Sequence, residues 1–179
     1  MKKIFFALAI TASTIFLASC GGNEESTTTT AEIPQGMVEY DLSQHGTFGM
    51  PCLINVPDEN TGKGLPEVME GPMGGTQVIV GKDFNIEIVV GDGDMNQKKT
   101  DIAADAVFKS TYIVDEPTAI LYKSEIPDAG VVQYHIYVII KVGNVTYEIE
   151  DVRGEENYSE EGAKRMLEAA KSLRAKAQA

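Results

Sequence analysis

Strict alternation of apolar and polar residues in two neighbouring stretches constrains the fold of this chain more than any other feature. Every second side chain is apolar in Val131–Val142 and again in residues 145–150, and residues 141–144 (Lys-Val-Gly-Asn) read as a turn. Successive side chains of a strand point to opposite faces, so the two stretches predict an antiparallel hairpin with one buried face. The side chains predicted to face the core are Val132, Tyr134, Ile136, Val138, Ile140 and Val142, and those predicted to face outward are Gln133, His135, Tyr137 and Lys141.

Shorter strand patterns and two helical patterns surround this hairpin. A helix is predicted over residues 159–176, where Ser159 is a suitable N-cap and apolar residues recur at helical spacing. A second helix is predicted over residues 96–109, with Ile102 and Ala106 on one face. Further strands are predicted at residues 84–90 and, on weaker patterns, at 38–42, 52–56, 77–80, 112–114 and 119–123.

These elements together predict an α+β fold. The expected architecture is a mainly antiparallel sheet of about six or seven strands, with the mid-chain helix and the C-terminal helix packed on it. One domain over residues 37–176 is long enough to bury such a core.

The charge balance excludes one class of partner. Fifteen Lys and Arg against 27 Asp and Glu give a formal net charge of −12, whereas nucleic-acid binding needs a cationic patch that displaces counterions from phosphates. We therefore expect no nucleic-acid partner. The acidic surface is equally explained by a need for solubility.

The N-terminal residues have the form of a targeting sequence. Lys2 and Lys3 precede an apolar stretch, residues 4–17, that is too short for the roughly 20 residues of a membrane-spanning helix. The stretch ends in Leu17-Ala18-Ser19-Cys20, which resembles the lipobox of bacterial lipoproteins.

The resemblance implies a lipid anchor on Cys20. It implies removal of residues 1–19 as a signal peptide, a diacylglyceryl thioether on the Cys20 sulfur and an acyl chain such as palmitate on the new amine. Several chains on one residue satisfy the need for at least two lipid signals in a stable anchor. The alternative is an ordinary signal peptide that ends near a cysteine.

Residues 21–36 are predicted to connect the anchor to the domain as a flexible tether, since almost none of them is apolar. Gly21 follows the lipobox cysteine, which in lipoproteins favours the outer membrane over the inner one. Asn23-Glu24-Glu25 is similar to the acidic export tags of Bacteroidetes lipoproteins at the cell surface, although it also reads as a solubilising segment. We expect an outer-membrane location, on the periplasmic or the cell-surface side.

The element order carries a second resemblance. Strands that enclose a mid-chain helix, followed by a long hairpin and a closing C-terminal helix, are similar to the Mog1/PsbP-like α/β sandwich. This resemblance implies a scaffold for binding or assembly rather than an enzyme, although a fold alone does not fix a function.

No recognised catalytic constellation stands in the sequence. Cys52 is predicted to be a small buried hydrophobe rather than a reactive thiol, His45 a loop residue and His135 a solvent-facing sheet residue. The chain has no Gly-x-Ser-x-Gly elbow, phosphate-binding loop or zinc motif. We predict no catalytic residue and no cofactor, without excluding an envelope hydrolase that uses these three side chains.

Residues 91–96 place oxygen-bearing side chains at alternate positions, as a calcium loop would. The calcium-loop template also needs Gly at its sixth position and Glu at its twelfth, where this chain has Gln97 and Ala103. A turn that caps the following helix explains the same residues, and we predict no metal site here.

Residues 57–75 are predicted to be a long connection, and long connections often carry function. We predict a partner or ligand contact at its apolar side chains, since Met adapts well to contact surfaces. The alternative is a loop that folds these side chains over the core. The side chains concerned are Leu65, Val68, Met69 and Met73.

The sequence as a whole favours an envelope-anchored lipoprotein with a non-enzymatic binding or assembly domain. Its expected partners are the membrane, through the lipid, and an unknown protein or small ligand. The alternatives are an envelope hydrolase and a calcium- or carbohydrate-binding module that uses residues 91–96 or 57–75.

Overall fold

Two antiparallel sheets and three helices make up the chain in the computed structural model, which describes residues 33–153 and 157–177. Cys20 and the predicted tether up to residue 32 lie outside the described residues. The helices are α1 (Glu59–Gly62), α2 (Met95–Ala103) and α3 (Glu160–Lys171). The strands are β1 (Met37–Asp41), β2 (Cys52–Pro57), β3 (Pro66–Glu70), β4 (Thr76–Val80), β5 (Asn85–Val90), β6 (Lys109–Asp115), β7 (Ala119–Ile126), β8 (Val131–Val142), β9 (Val145–Asp151) and β10 (Arg174–Ala175).

The larger sheet has seven strands in the order β3-β4-β5-β9-β8-β7-β6, and every neighbouring pair is antiparallel. Its longest strand is β8, whose hairpin with β9 closes where Val142 pairs with Val145, as the alternation predicts. The smaller sheet has the order β1-β2-β10. The predicted α+β class, with helices packed on a mainly antiparallel sheet, is confirmed.

The main core lies between one face of the seven-stranded sheet, helix α3 and the smaller sheet. Apolar side chains of β8 and β9, such as Ile136 and Ile149, meet Met166 of α3 and Ile54 of β2 there, all at most 1% exposed. Ser159 caps α3 as predicted, because its hydroxyl oxygen accepts the Gly162 N–H.

A second, smaller core lies on the opposite face of the same sheet, beneath α2. Met95 of α2 packs there on Ile120 and Tyr137, and Ile102 and Tyr122 lie beside them. The prediction that Tyr137 faces outward is therefore wrong, since only 3% of this residue is exposed. The alternation placed Tyr137 on the correct face but could not show that a helix covers that face.

Val132 shows the opposite difference from the hairpin prediction, because it was predicted to face the core and is exposed. It pairs with Glu125 near the turn that joins β7 and β8, and it is 36% exposed. The predicted core position is wrong because the main core stops short of this end of the hairpin.

Both predicted helices end earlier than the sequence pattern indicates. Helix α2 stops at Ala103, because the Asp105 carboxylate accepts the N–H groups of Val107 and Phe108 and turns the chain into β6. The prediction of a helix to residue 109 is therefore wrong.

Helix α3 stops at Lys171 rather than continuing to residue 176. The Ser172 hydroxyl donates to the Ala169 carbonyl and accepts the Asn55 N–H, which fastens the helix end to β2. The chain then extends, and Arg174–Ala175 pair with β2 as strand β10.

Candidate functional site

A polar cleft of about 340 Å³ lies on the α2 face of the seven-stranded sheet. Strands β6 to β9 supply its floor, and the C-terminal half of α2 and the loop after it supply one wall. Its lining residues are Lys98, Asp101, Ile102, Asp105, Phe108, Ser110, Tyr122, Ser124, Gln133, His135, Glu150, Asp151 and Arg153.

His135 and Asp151 form a hydrogen-bonded pair at the centre of this cleft. The His135 Nδ1 and Asp151 Oδ2 atoms are 2.8 Å apart, and the two side chains are 17% and 5% exposed. The other oxygen, Asp151 Oδ1, accepts the Ile136 N–H at 2.8 Å. This double attachment fixes the imidazole ring, so that its Nε2 atom is the one left for a ligand.

Tyr122 lies beside this pair, with its ring centroid 5.1 Å from that of His135. Burial raises the pKa of the Tyr122 phenol well above its usual range, and the negative charges of Asp151 and Glu150 raise it further. The hydroxyl therefore keeps its proton at neutral pH. It presents a neutral hydrogen-bond donor at the cleft floor.

Helix α2 is fastened over the cleft by carboxylates that project from β9. Lys98 Nζ lies 2.5 Å from Glu150 Oε2 and 4.7 Å from the centre of the Tyr137 ring. Glu148 accepts the Tyr137 hydroxyl at 2.6 Å and the Gly93 N–H at 3.1 Å, which holds the loop that leads into α2. The carboxylates of β9 thus fix the position of α2 over the cleft.

The remaining charged groups of the cleft differ in how they are paired. Asp105 accepts two backbone N–H groups, and these bonds lower the pKa of its carboxyl. Asp101 accepts from Gln97 Nε2 at 2.7 Å. Arg153 has no ion-pair partner among the residues that the structure describes, yet its positive charge lowers the pKa of Asp105 further and offsets a small part of the rise in the pKa of Tyr122.

Two further depressions continue the cleft at its ends. One, of about 410 Å³, shares Ile102, Asp105, Phe108 and Ser110 with the cleft and is more apolar, with Val107 and Pro127 in its lining. The other, of about 120 Å³, shares Gln133, His135, Asp151 and Arg153 with it. Through these shared residues the three form one groove.

The sequence predicted only part of this site. The predicted outward face of β8 does carry Gln133 and His135 into the cleft, but His135 is a partly buried member of a cluster rather than a solvent-facing residue. Tyr122 and Asp151 were not predicted as site residues. A single sequence gives no strand order, so nothing in it showed that β7 and β9 flank β8.

The structure does not bring the predicted hydrolase residues together. Cys52 is 2% exposed and packs in the main core, where burial raises the pKa of its thiol. His135 lies on the other side of the sheet, and His45 stacks on Tyr40 at 5.2 Å. Cys52 is thus a small buried hydrophobe, as the sequence favours.

Asp94 of the calcium-like stretch acts as the N-cap of α2. Its Oδ1 atom accepts the N–H groups of Asn96 at 2.8 Å and Gln97 at 3.1 Å, which is the capping interpretation of these residues. Within residues 33–153 and 157–177, no group of three or more His, Cys, Asp or Glu side chains could hold a metal ion.

The predicted long connection over residues 57–75 contains α1 and β3, so its description as a loop is wrong. Val68 packs against the main core as part of β3. Leu65, Met69 and Met73 are exposed by 68%, 40% and 51%, and none of them lines the cleft. Val68 is thus partly buried and the other three side chains are exposed, and the predicted partner contact at these four residues stays a prediction.

A buried carboxylate that the sequence did not reveal shapes this region. Glu87 of β5 is fully buried, and its Oε1 atom accepts the N–H groups of Met73 at 2.9 Å and Gly75 at 2.8 Å. It therefore holds the turn between β3 and β4 down on the sheet. In the sequence Glu87 alternates with the apolar residues Ile86 and Ile88, a pattern that predicts an outward side chain, and only the folded turn buries it.

No protein-family model, curated protein or solved structure matches this chain significantly. The resemblances to bacterial lipoproteins and to the Mog1/PsbP-like sandwich stay predictions. No helix among the described residues is long and apolar enough to cross a membrane.

Proposed function

We propose that this protein is an envelope lipoprotein whose folded domain binds a small polar ligand in the cleft beneath α2. The lipid anchor rests on the Leu17-Ala18-Ser19-Cys20 motif, and the tether on the composition of the residues that follow it. The binding role rests on the cleft itself.

The observation that carries the binding role is the fixed polar cluster of His135, Asp151 and Tyr122. Two of its side chains have positions set by hydrogen bonds or packing, and the cleft around them has the volume of a small-ligand site. Preorganised polar groups lose little conformational entropy on binding.

The His135–Asp151 pair also favours a second candidate, an envelope hydrolase with His135 as general base. A carboxylate that orients an imidazole is the usual arrangement for proton abstraction. The two serines that line the cleft, Ser110 and Ser124, bond to each other at 2.8 Å, and neither is seen to bond to His135. We therefore place binding first and hydrolysis second.

Native mass spectrometry of the protein isolated from its own envelope tests the binding role. We expect the wild-type protein to carry an additional small mass that Tyr122→Phe retains at much lower occupancy. Tyr40→Phe is the matched control, since Tyr40 bonds the Pro66 carbonyl at 3.4 Å in another part of the fold. Absence of the added mass, or equal retention by all three proteins, contradicts the proposal, and a mass that matches a cleaved ligand favours the hydrolase.

A further inference from the structure

Most of the charged groups that line the cleft are already bound within the protein. Lys98 pairs with Glu150, Asp151 bonds to the His135 ring, and Asp105 accepts two backbone N–H groups. Of the other two, Asp101 accepts only from Gln97 Nε2, and Arg153 has no ion-pair partner among the described residues. These two groups have opposite signs, so that a ligand without net charge meets no excess of like charge.

The hydrogen-bonding groups of the cleft include both donors and acceptors. Tyr122 and Arg153 donate, while the carboxylate of Asp101 retains acceptor capacity beyond its internal bond. A hydroxyl group both donates and accepts, so it can satisfy either kind of neighbour. Groups of this mixed kind therefore match a ligand with many hydroxyls.

The shape of the groove indicates a chain-like ligand with apolar faces. The central cleft of about 340 Å³ continues into the depressions of about 410 Å³ and 120 Å³ through shared lining residues. Aromatic rings line it, with Phe108 at the junction of the two larger parts and Tyr112 in the more apolar one. Rings of this kind offer flat apolar surfaces beside the polar groups.

We propose that the groove binds a neutral oligosaccharide, with hydroxyls on the polar cluster and sugar-ring faces on Phe108 and the tyrosines. This inference rests on the proposed binding function and names the class of ligand. It places saccharide binding beneath α2 rather than at residues 91–96 or 57–75. An extended peptide is the competing occupant, which the side-chain character of the lining disfavours, because peptides bind sheets chiefly through backbone hydrogen bonds.

The test is a titration followed by the imidazole signals of the two histidines in the chain, with His45 as the internal reference. The mature protein, as isolated from the membrane, is held in lipid nanodiscs, which avoids glycosidic detergents. The neutral probes are cellohexaose, maltohexaose and mannohexaose. The other probes are hexagalacturonate, a chitosan hexamer and an alanine-rich hexapeptide. We expect saturable shifts of the His135 signals with at least one neutral hexasaccharide, and no shift of the His45 signals.

Two pairs of variants show whether binding uses the cleft. We expect Arg153→Gln and Tyr122→Phe each to lower the affinity for the hexasaccharide that binds the wild type by roughly tenfold, which is the effect of one lost hydrogen bond. Arg165→Gln and Tyr40→Phe should bind as the wild type does, because Arg165 lies on α3, across the sheet. All four variants should have the same melting temperature, which excludes a folding defect as the cause of weaker binding.

Two results overturn the inference, and they separate it from the proposed function. If only a charged hexamer or the peptide moves the His135 signals, the ligand class is wrong and the binding role stands. If no probe moves them and the native protein also carries no added mass, both proposals fail.

Discussion

Asp151 shows how much of the candidate site depends on one side chain. Its carboxylate binds both the His135 ring and the Ile136 backbone N–H of the neighbouring strand β8, and Arg153 follows two residues after the end of β9. The predicted strand ended at residue 150, one residue before Asp151, and the sequence did not show which side chain Asp151 would bind. Sequence periodicity fixes the face of a residue and leaves open which strand lies beside it.

We expect Asp151→Ala to lower the free energy of unfolding by about 1–3 kcal/mol, because it leaves a buried N–H and an imidazole without their acceptor. Asp151→Asn keeps one acceptor oxygen and should cost less. Urea unfolding measures both variants. Equal stability of the alanine variant and the wild type would show that the pair does not hold the cleft.

Glu87 is a second residue whose role only the fold reveals. We expect Glu87→Ala to cost about 1–3 kcal/mol, since the N–H groups of Met73 and Gly75 lose their acceptor. Hydrogen exchange gives the specific readout, with faster exchange at Met73 and Gly75 than elsewhere. Uniform acceleration over the whole chain would contradict this local role.

At the scale of elements, the sequence predicts where strands and helices begin better than where helices end. Ser159 and Asp94 are capping residues that the pattern displays directly. The ends of α2 and α3 depend instead on Asp105 and on the contact between Ser172 and Asn55, which is 117 residues away in the chain. Contacts of such sequence separation have no local signature.

The Asp94 cap predicts the behaviour of α2. We expect Asp94→Ala to lower the unfolding free energy by about 1 kcal/mol in calcium-free buffer, because two N–H groups at the helix start lose their acceptor. Thermal unfolding with and without added calcium measures the stability of the variant and of the wild type. A loss of stability that occurs only when calcium is present would favour the calcium loop instead. Asp92→Ala is the matched control, since Asp92 does not cap α2.

At the scale of the whole molecule, the beginning and the end of the described domain are fastened to each other. Lys176 Nζ lies 2.6 Å from Asp41 Oδ2, and Arg174 forms an ion pair with Glu39. Hydrogen bonds from Lys176 and then Ser43 hold the pKa of Asp41 well below its usual range. The sequence predicted two helices on one sheet but not this closure, because the C-terminal segment was expected to be helical.

This closure predicts a dependence on pH. A carboxyl with a lowered pKa in the folded state adds stability above its unfolded value of about 3.9, and that stability is lost as the pH falls through the folded value. We expect Lys176→Met to be less stable than the wild type at neutral pH, with the difference vanishing in strong acid. Urea midpoints at several pH values measure this difference in stability. The control is Lys141→Met, which changes an exposed lysine of β8. A difference that is independent of pH would contradict the account.

The central proposal for the whole molecule is that a lipid on Cys20 holds this binding domain at the bacterial envelope. The most direct test is the intact mass of the protein extracted from its native membrane, beside that of Cys20→Ser. We predict a wild-type chain that begins at Cys20 and carries diacylglyceryl and acyl groups, and a variant that lacks the lipid and leaves the membrane fraction. A wild-type protein with an unmodified Cys20, or a variant that stays full length and membrane-bound, would contradict the account.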